Sequence, residues 1–169
     1  SSQRSIPAEL AIRIVEACNR ERNWQSLKAV VKHTNHSEMG YTLFGEYSLQ
    51  LLAAWRQTGQ HHKADFWLNS QLFLNHLPLM EIDQQLLLSI ERANNHQAMG
   101  RFLQSARERI FIEDFITNEK MQRENARRIW QSLRSVPPIQ LETAKAKSSN
   151  QSFTAWLDLA LSQQHTNSK

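Results

Sequence analysis

Almost every stretch of this chain carries apolar residues at three- and four-residue spacing, and almost none alternates apolar with polar. The first pattern is that of an amphipathic helix and the second that of a strand. Glycine and proline, which would punctuate a strand-and-turn protein, number only four each. The chain therefore reads as all-α.

The stripes can be followed in order. A first helix starts near Pro7, where proline suits a helix start, and places Leu10, Ile14, Val15 and Cys18 on one side. After "RERN" a second carries Trp24, Leu27, Val30 and Val31. A third, with Phe44, Tyr47, Leu51, Leu52 and Trp55, stops at "QTGQ", where Gly59 suits a left-handed cap. The next has two stripes, Ala64–Trp67–Leu68–Leu72 and Phe66–Phe73–Leu77, which predicts neighbours on both sides. It ends before Pro78. Ile82, Leu86, Ile90 and Ala93 form a fifth, and Met99, Phe102, Leu103 and Ala106 a sixth beyond a break at "NNHQ". A looser stretch over 109–117 precedes a helix with Met121, Ile129, Trp130 and Leu133, which "VPPIQ" terminates. A short helix near 140–146 and a last one with Phe153, Trp156, Leu157 and Ala160 complete about nine. Residues 1–5 and 163–169 are expected to fray.

"LLAAWRQTGQHHKADFWLNSQL", Leu51–Leu72, resembles a tetratricopeptide hairpin. Trp55 is the large anchor, Gly59 makes the turn, and Ala64 lets the second helix approach the first. Looser copies place anchors at Leu27, Ala64 and Met99, 37 and 35 residues apart, near that repeat's 34-residue period. The predicted fold is a set of antiparallel helical hairpins stacked as a tetratricopeptide-like superhelix, with 1–169 as one repeat-like domain. Its concave face would carry the residues after each anchor: Asn19 and Arg20, Arg56 and Gln57, Glu91 and Arg92. Arg20, Arg56, Gln57 and Arg92 are the candidate protein-binding residues, suited to an acidic peptide.

Chemistry is sparse. "HTNH" sets His33 and His36 three apart, and His61, His62 and Asp65 lie close in sequence, but no second cluster supplies the further ligands zinc needs. Glu113 and Asp114 are adjacent and diverge. No phosphate-cradling glycine loop or nucleophile elbow is present. The expectation is no catalytic residue, no cofactor and no metal. Cys18, the single cysteine, sits in an apolar helical pattern and reads as core. The net charge of +4 comes from scattered Lys and Arg. Arginines 123, 127 and 128 interleave with acidic residues, which predicts pairs within helices rather than a track for nucleic acid. All five tryptophans read as core. No apolar run approaches transmembrane length.

Two later stretches stand out as a string. "NARRIWQSL" has Asn125 five residues before Trp130 and Leu133 three after it. "AWLDL" then carries Trp156 and Leu157 beyond a polar, proline-containing gap. The combination resembles the N-terminal domain of the penicillin-binding protein activator lipoproteins (the LpoA, or LppC, family), where the second stretch reads "GWLDL" or a close variant. Ala155 stands at the glycine position and is expected only to tighten local packing. The specific motifs span about 125–159, and the upstream hairpins match that family's tetratricopeptide-like layout.

The resemblance implies a non-enzymatic module of an outer-membrane lipoprotein that faces the periplasm of a Gram-negative bacterium. Such proteins activate a class A penicillin-binding protein in peptidoglycan synthesis, mainly through a C-terminal domain like the periplasmic binding proteins. That domain is not in this sequence, and the lipidated cysteine would lie upstream of Ser1. Peptidoglycan and other envelope proteins are further candidate partners. Asn125, Trp130, Leu133, Trp156 and Leu157 are then a structural signature, with the tryptophans as core anchors and Asn125 as a cap or interhelix hydrogen-bonder. A fully buried Trp130 would cost about 3–5 kcal/mol on replacement by alanine. The competing readings are a freestanding tetratricopeptide-like adaptor or chaperone holding a peptide in its groove, and an RNA-binding helical repeat.

Overall fold

The structure, a computed structural model, describes residues 5–167. Among these residues it contains ten α-helices and three short 3₁₀ turns, and the only β pairing is a lone bridge between Ile6 and Thr34. The all-α expectation holds. The chain forms two compact units, divided between Glu91 and Arg92.

In the first unit, α1 (Ala8–Glu21) and α2 (Trp24–His33) form one hairpin, and α3 (Tyr41–Gln57) and α4 (His61–Leu68) a second. Then come α5 (Gln71–His76) and the start of α6 (Ile82–Ala98). Helix α1 packs along α3. Ala11, Ile12, Val15 and Cys18 of α1 close over Phe44, Tyr47, Leu51 and Trp55 of α3. Leu10 is half-exposed, so the buried stripe of α1 is rotated from the one expected and uses the small Ala11 at the contact.

The tenth helix comes from a break the apolar pattern conceals. The expected long helix over 64–77 ends at Asn69. Ser70 then adopts extended backbone, and its hydroxyl accepts from the Phe73 amide, capping α5. Phe66, assigned to a buried stripe, is 80% exposed as a result, while Phe73 reaches the core.

Three turns share one geometry. Arg22, Gly59 and Gly100 are the positive-φ residues, at 57°, 69° and 77°. In each, the following amide donates to the carbonyl four residues before the turn: Asn23 to Cys18, Gln60 to Trp55, Arg101 to His96. This is the bond that closes a left-handed helix C-cap. The third turn corrects the expected spacing. "NNHQ" stays helical within α6, so the anchor is Ser105 rather than Met99, which lies in the turn itself. The turns are 37 and 41 residues apart, so a 35-residue step is not kept.

The second unit holds the end of α6, α7 (Phe102–Phe111), α8 (Glu119–Leu133), α9 (Pro138–Lys147) and α10 (Gln151–Asn167). Helix α8 ends at Leu133, ahead of Pro137 and Pro138, and Pro138 occupies the first turn of α9, where its missing N–H costs no bond. Helix α7 packs on α8 and α9 on α10, around Ile110, Ile129, Leu133, Leu141, Phe153 and Leu157. Helix α10 runs to Asn167; residues 1–4 and 168–169, part of the ends expected to fray, lie outside the described residues.

Inside the first unit, His36 lies against Tyr47 and Trp67, with ring centroids 5.3 and 5.1 Å away. Its Nδ1 is buried with no hydrogen-bond partner, and burial lowers its pKa below the ordinary 6.5. Burial likewise pushes the Tyr47 phenol up to about 12.

Two predictions come from these features. No neighbour would meet a Cβ at Gly59, so Gly59→Ala should cost only the backbone strain, about 1 kcal/mol. Arg22→Gly should stabilise by up to about the same amount, both read from urea midpoints. The folded unit resists a proton that the unfolded chain accepts at His36. Stability is therefore retained above pH 6.5 and lost as pH falls below it. His36→Phe should flatten that loss in a series of melts from about pH 7 to 5.

Candidate interaction site

The residues expected to line a basic concave face are distributed over both units. Arg20 and Gln57 are exposed in the first. Arg56 is engaged: its guanidinium pairs with Glu91. In the second unit Arg92 lies 3.7 Å from Glu108, whose carboxyl is raised by burial and only partly pulled back by Arg92. Two of the three arginines thus face a glutamate of their own unit, which reduces the positive charge available to an acidic peptide. Asn19 donates to the carbonyl and side chain of Gln50 and ties α1 to α3.

The signature residues do hold chemistry, of a structural kind. Arg109 on α7 is only 6% exposed. Its Nη1 donates to Asn125 Oδ1 at 3.2 Å and its Nη2 to Asn94 Oδ1 at 2.7 Å. Asn125, also buried, returns a bond from Nδ2 to the Arg109 carbonyl at 3.0 Å. The reciprocal pair clamps α7 to α8. Burial lowers the guanidinium pKa, as does Arg128 nearby, while Glu124 raises it. Leu133 and Leu157 are fully buried in the same core.

The tryptophans depart from expectation. Only Trp55 is buried; Trp24, Trp67, Trp130 and Trp156 are half-buried. Trp130 edges a recess of about 360 Å³ with Arg134 and Gln163, so Ile129 takes the core position beside it. The indole N–H of Trp156 donates to Glu113 Oε1 at 2.8 Å, tying α10 to the turn after α7. Ala155 is exposed, so its methyl tightens nothing.

The side chains of α8 pair among themselves at the spacing of one helical turn. Glu124 accepts from Arg127 and Arg128 at 2.8–3.0 Å, and those bonds hold its carboxyl down to about 2. Arg127 and Arg128 of "RENARR" are therefore paired with Glu124 along α8. Cys18 is buried, and burial raises its thiol pKa, away from thiolate reactivity. No group of three His, Cys, Asp or Glu able to hold a metal occurs among the described residues.

Two further concavities occur among the described residues. In the first unit, Trp24, Val31 and Trp55 floor a cavity of about 270 Å³, rimmed by Lys28, Lys32 and Lys63. In the second, a groove of about 630 Å³ runs between α7, α9 and the turn into α10. Its apolar lining is Leu103, Ala144 and Phe153 with Phe111 and Ile139 at the rim, and its charged groups are Arg107 and Lys147. The Arg107 guanidinium lies 5.3 Å from the centroid of Phe111 and 5.5 Å from that of Phe153, within cation–π range. A cavity of this size, apolar with few convergent polar groups, has the make-up of a ligand site. Sequence reading passed over it because Phe153 reads as core and Pro137–Pro138 as a break. The available signal was Arg107 with Phe111, one helical turn apart, followed by an isoleucine at the start of α9.

No family model, curated protein or solved structure matches the chain.

Replacing Asn125 by leucine should remove one of the two side-chain acceptors of the buried guanidinium and cost about 2–3 kcal/mol in urea unfolding. Adding Arg109→Met should recover part of that loss, because the buried charge is then gone and only the half-buried Asn94 amide loses a partner. Trp130→Ala, at a half-buried site, should cost about 2 kcal/mol, less than a fully buried tryptophan.

Proposed function

We propose that this chain is a non-catalytic, periplasmic helical module of an outer-membrane lipoprotein that activates a class A penicillin-binding protein in peptidoglycan synthesis. Its role is that of a scaffold and protein-interaction domain. The observation that carries the proposal is the fate of the signature string. Asn125 clamps α8 to α7 through Arg109, Trp156 ties α10 to Glu113, and Leu133 and Leu157 meet in one core. Residues that resemble a family motif in sequence therefore act together as one fastening. A generic amphipathic pair would need the leucines but not a buried, reciprocally bonded asparagine.

The physical task fits. A lipoprotein held at one membrane and acting on a synthase held at another must carry its docking part through the intervening mesh. Packed helical hairpins bury apolar surface against their neighbours and hold shape along their length. No helix among the described residues is long and apolar enough to cross a membrane. The lipid anchor and the main synthase-contacting domain belong to sequence outside this chain in this reading.

A second reading, a freestanding tetratricopeptide-like adaptor, draws support from the groove of the second unit. Its expected arginines are less favourable to it, since Arg56 and Arg92 are paired with glutamates.

The two part company in the gene. The native reading frame should show a lipoprotein signal upstream of Ser1 and an α/β binding-protein-like domain downstream of Lys169. A stop codon directly after Lys169 with no export signal before Ser1 would overturn the activator reading in favour of the adaptor.

A further inference from the structure

We propose that the groove between α7 and α9 is a docking site for an acidic linear peptide segment of a protein partner. One apolar side chain of that segment sits on the floor, and flanking carboxylates meet Arg107 and Lys147. The site lies in the second unit, whereas Arg20, Arg56 and Gln57 belong to the first, and its chemistry is independent of the compartment in which the chain works.

The groove is built from one unit alone. Ile139 stands at its edge 72% exposed, and Phe111 is 44% exposed. Both follow from local structure. Ile139 is placed outward because Pro138 starts α9 and Leu141 takes the buried position. Phe111 ends α7, where Ile110 takes the core. Large apolar side chains left at the rim of a concavity are surface that water covers poorly, and burying them drives association.

Charge selects the occupant. Both charged side chains of the groove are cations, and its other polar lining is neutral: Gln104, Gln140, Thr143, Ser148, Ser149 and Asn150. Arg107 is exposed and lies over two rings, which holds its guanidinium at the groove with N–H groups to offer a carboxylate. Two cations over an apolar floor do not make a phosphate track, which needs a series of them along a backbone. A concave floor is likewise the wrong shape for a membrane surface, which takes a protruding apolar face. An extended segment with acidic residues on either side of a leucine, phenylalanine or tryptophan satisfies floor and rim together.

The test is a selection of a displayed library of short random peptides on the folded protein, with counter-selection on an Arg107→Glu/Lys147→Glu variant. The expected survivors carry Asp or Glu flanking a large apolar residue. Synthesised with a fluorescent label, they should bind about tenfold or more weakly to Ile139→Ser, and to the double charge variant, by anisotropy. Arg107, Ile139 and Lys147 are all exposed, so the variants should retain wild-type melting. A variant that melts early is replaced by Lys147→Glu alone, read the same way. The proposal is overturned if no acidic consensus emerges, or if selected peptides bind the variants as tightly as wild type. It also fails if the protein self-associates through this face, seen as concentration-dependent sedimentation abolished by Ile139→Asp.

Discussion

A guanidinium out of water is the constraint around which the second unit is arranged. An isolated buried cation is costly, and Arg109 cannot shed its proton to avoid that cost. The cost is offset by aiming side-chain oxygens at it: Asn125 from α8 and Asn94 from α6. Asn125 is held in turn by the Arg109 carbonyl, so the amide has both ends used and a single orientation. The apolar residues of α7, α8 and α10 could pack in several registers, since leucine and isoleucine are tolerant of small slides. A bond pattern of this kind tolerates one. Unpairing it in any slid arrangement would leave a charge and an amide unsatisfied, which is the penalty that selects a unique packing.

The first unit reaches definition differently, through aromatic packing. Phe44 and Trp67 stack with centroids 5.5 Å apart, and Trp67 donates its N–H to Ser48 at 2.9 Å. Ser48 is fully buried on α3, and its small side chain leaves room for the indole of α4. Left-handed caps then set where each hairpin turns. Glycine fills two of these and arginine the third, which shows how far the hydrogen-bonded cap outweighs the strain of a single side chain at positive φ. Tetratricopeptide-like stacking of these hairpins remains part of the proposal rather than of the observed fold, and the 41-residue step between the second and third turns is its main departure from a regular repeat.

Helical periodicity was legible because the apolar stripes are long and strand-like alternation is missing. Gly59 as a turn could be read from its position after Trp55. The break at Ser70 could not, because a serine inside an apolar stripe gives no sign whether it faces solvent or caps a new helix. "NNHQ" misled for the opposite reason: four polar residues in a row look like a loop, yet Asn95 is buried, Asn94 accepts from Arg109 and Gln97 accepts from Ser132. The tryptophans were read too deep, since an indole can pack on one face and keep its edge in contact with water or a carboxylate, as Trp156 does with Glu113. Spacing places Arg107 one turn before Phe111, but the groove they line depends on which side of α9 faces α7, a tertiary fact that no spacing encodes.

The account joins a fastened helical body to a role at the cell envelope, and where the native protein resides decides that link most directly. The measurement is metabolic labelling of native cells with radioactive palmitate, followed by membrane fractionation and detection with an antibody raised against this module. The account predicts a labelled protein in the outer-membrane fraction that crosslinks in cells to a class A penicillin-binding protein. An unlabelled protein found with the cytosol, with no crosslink to the synthase, would contradict it.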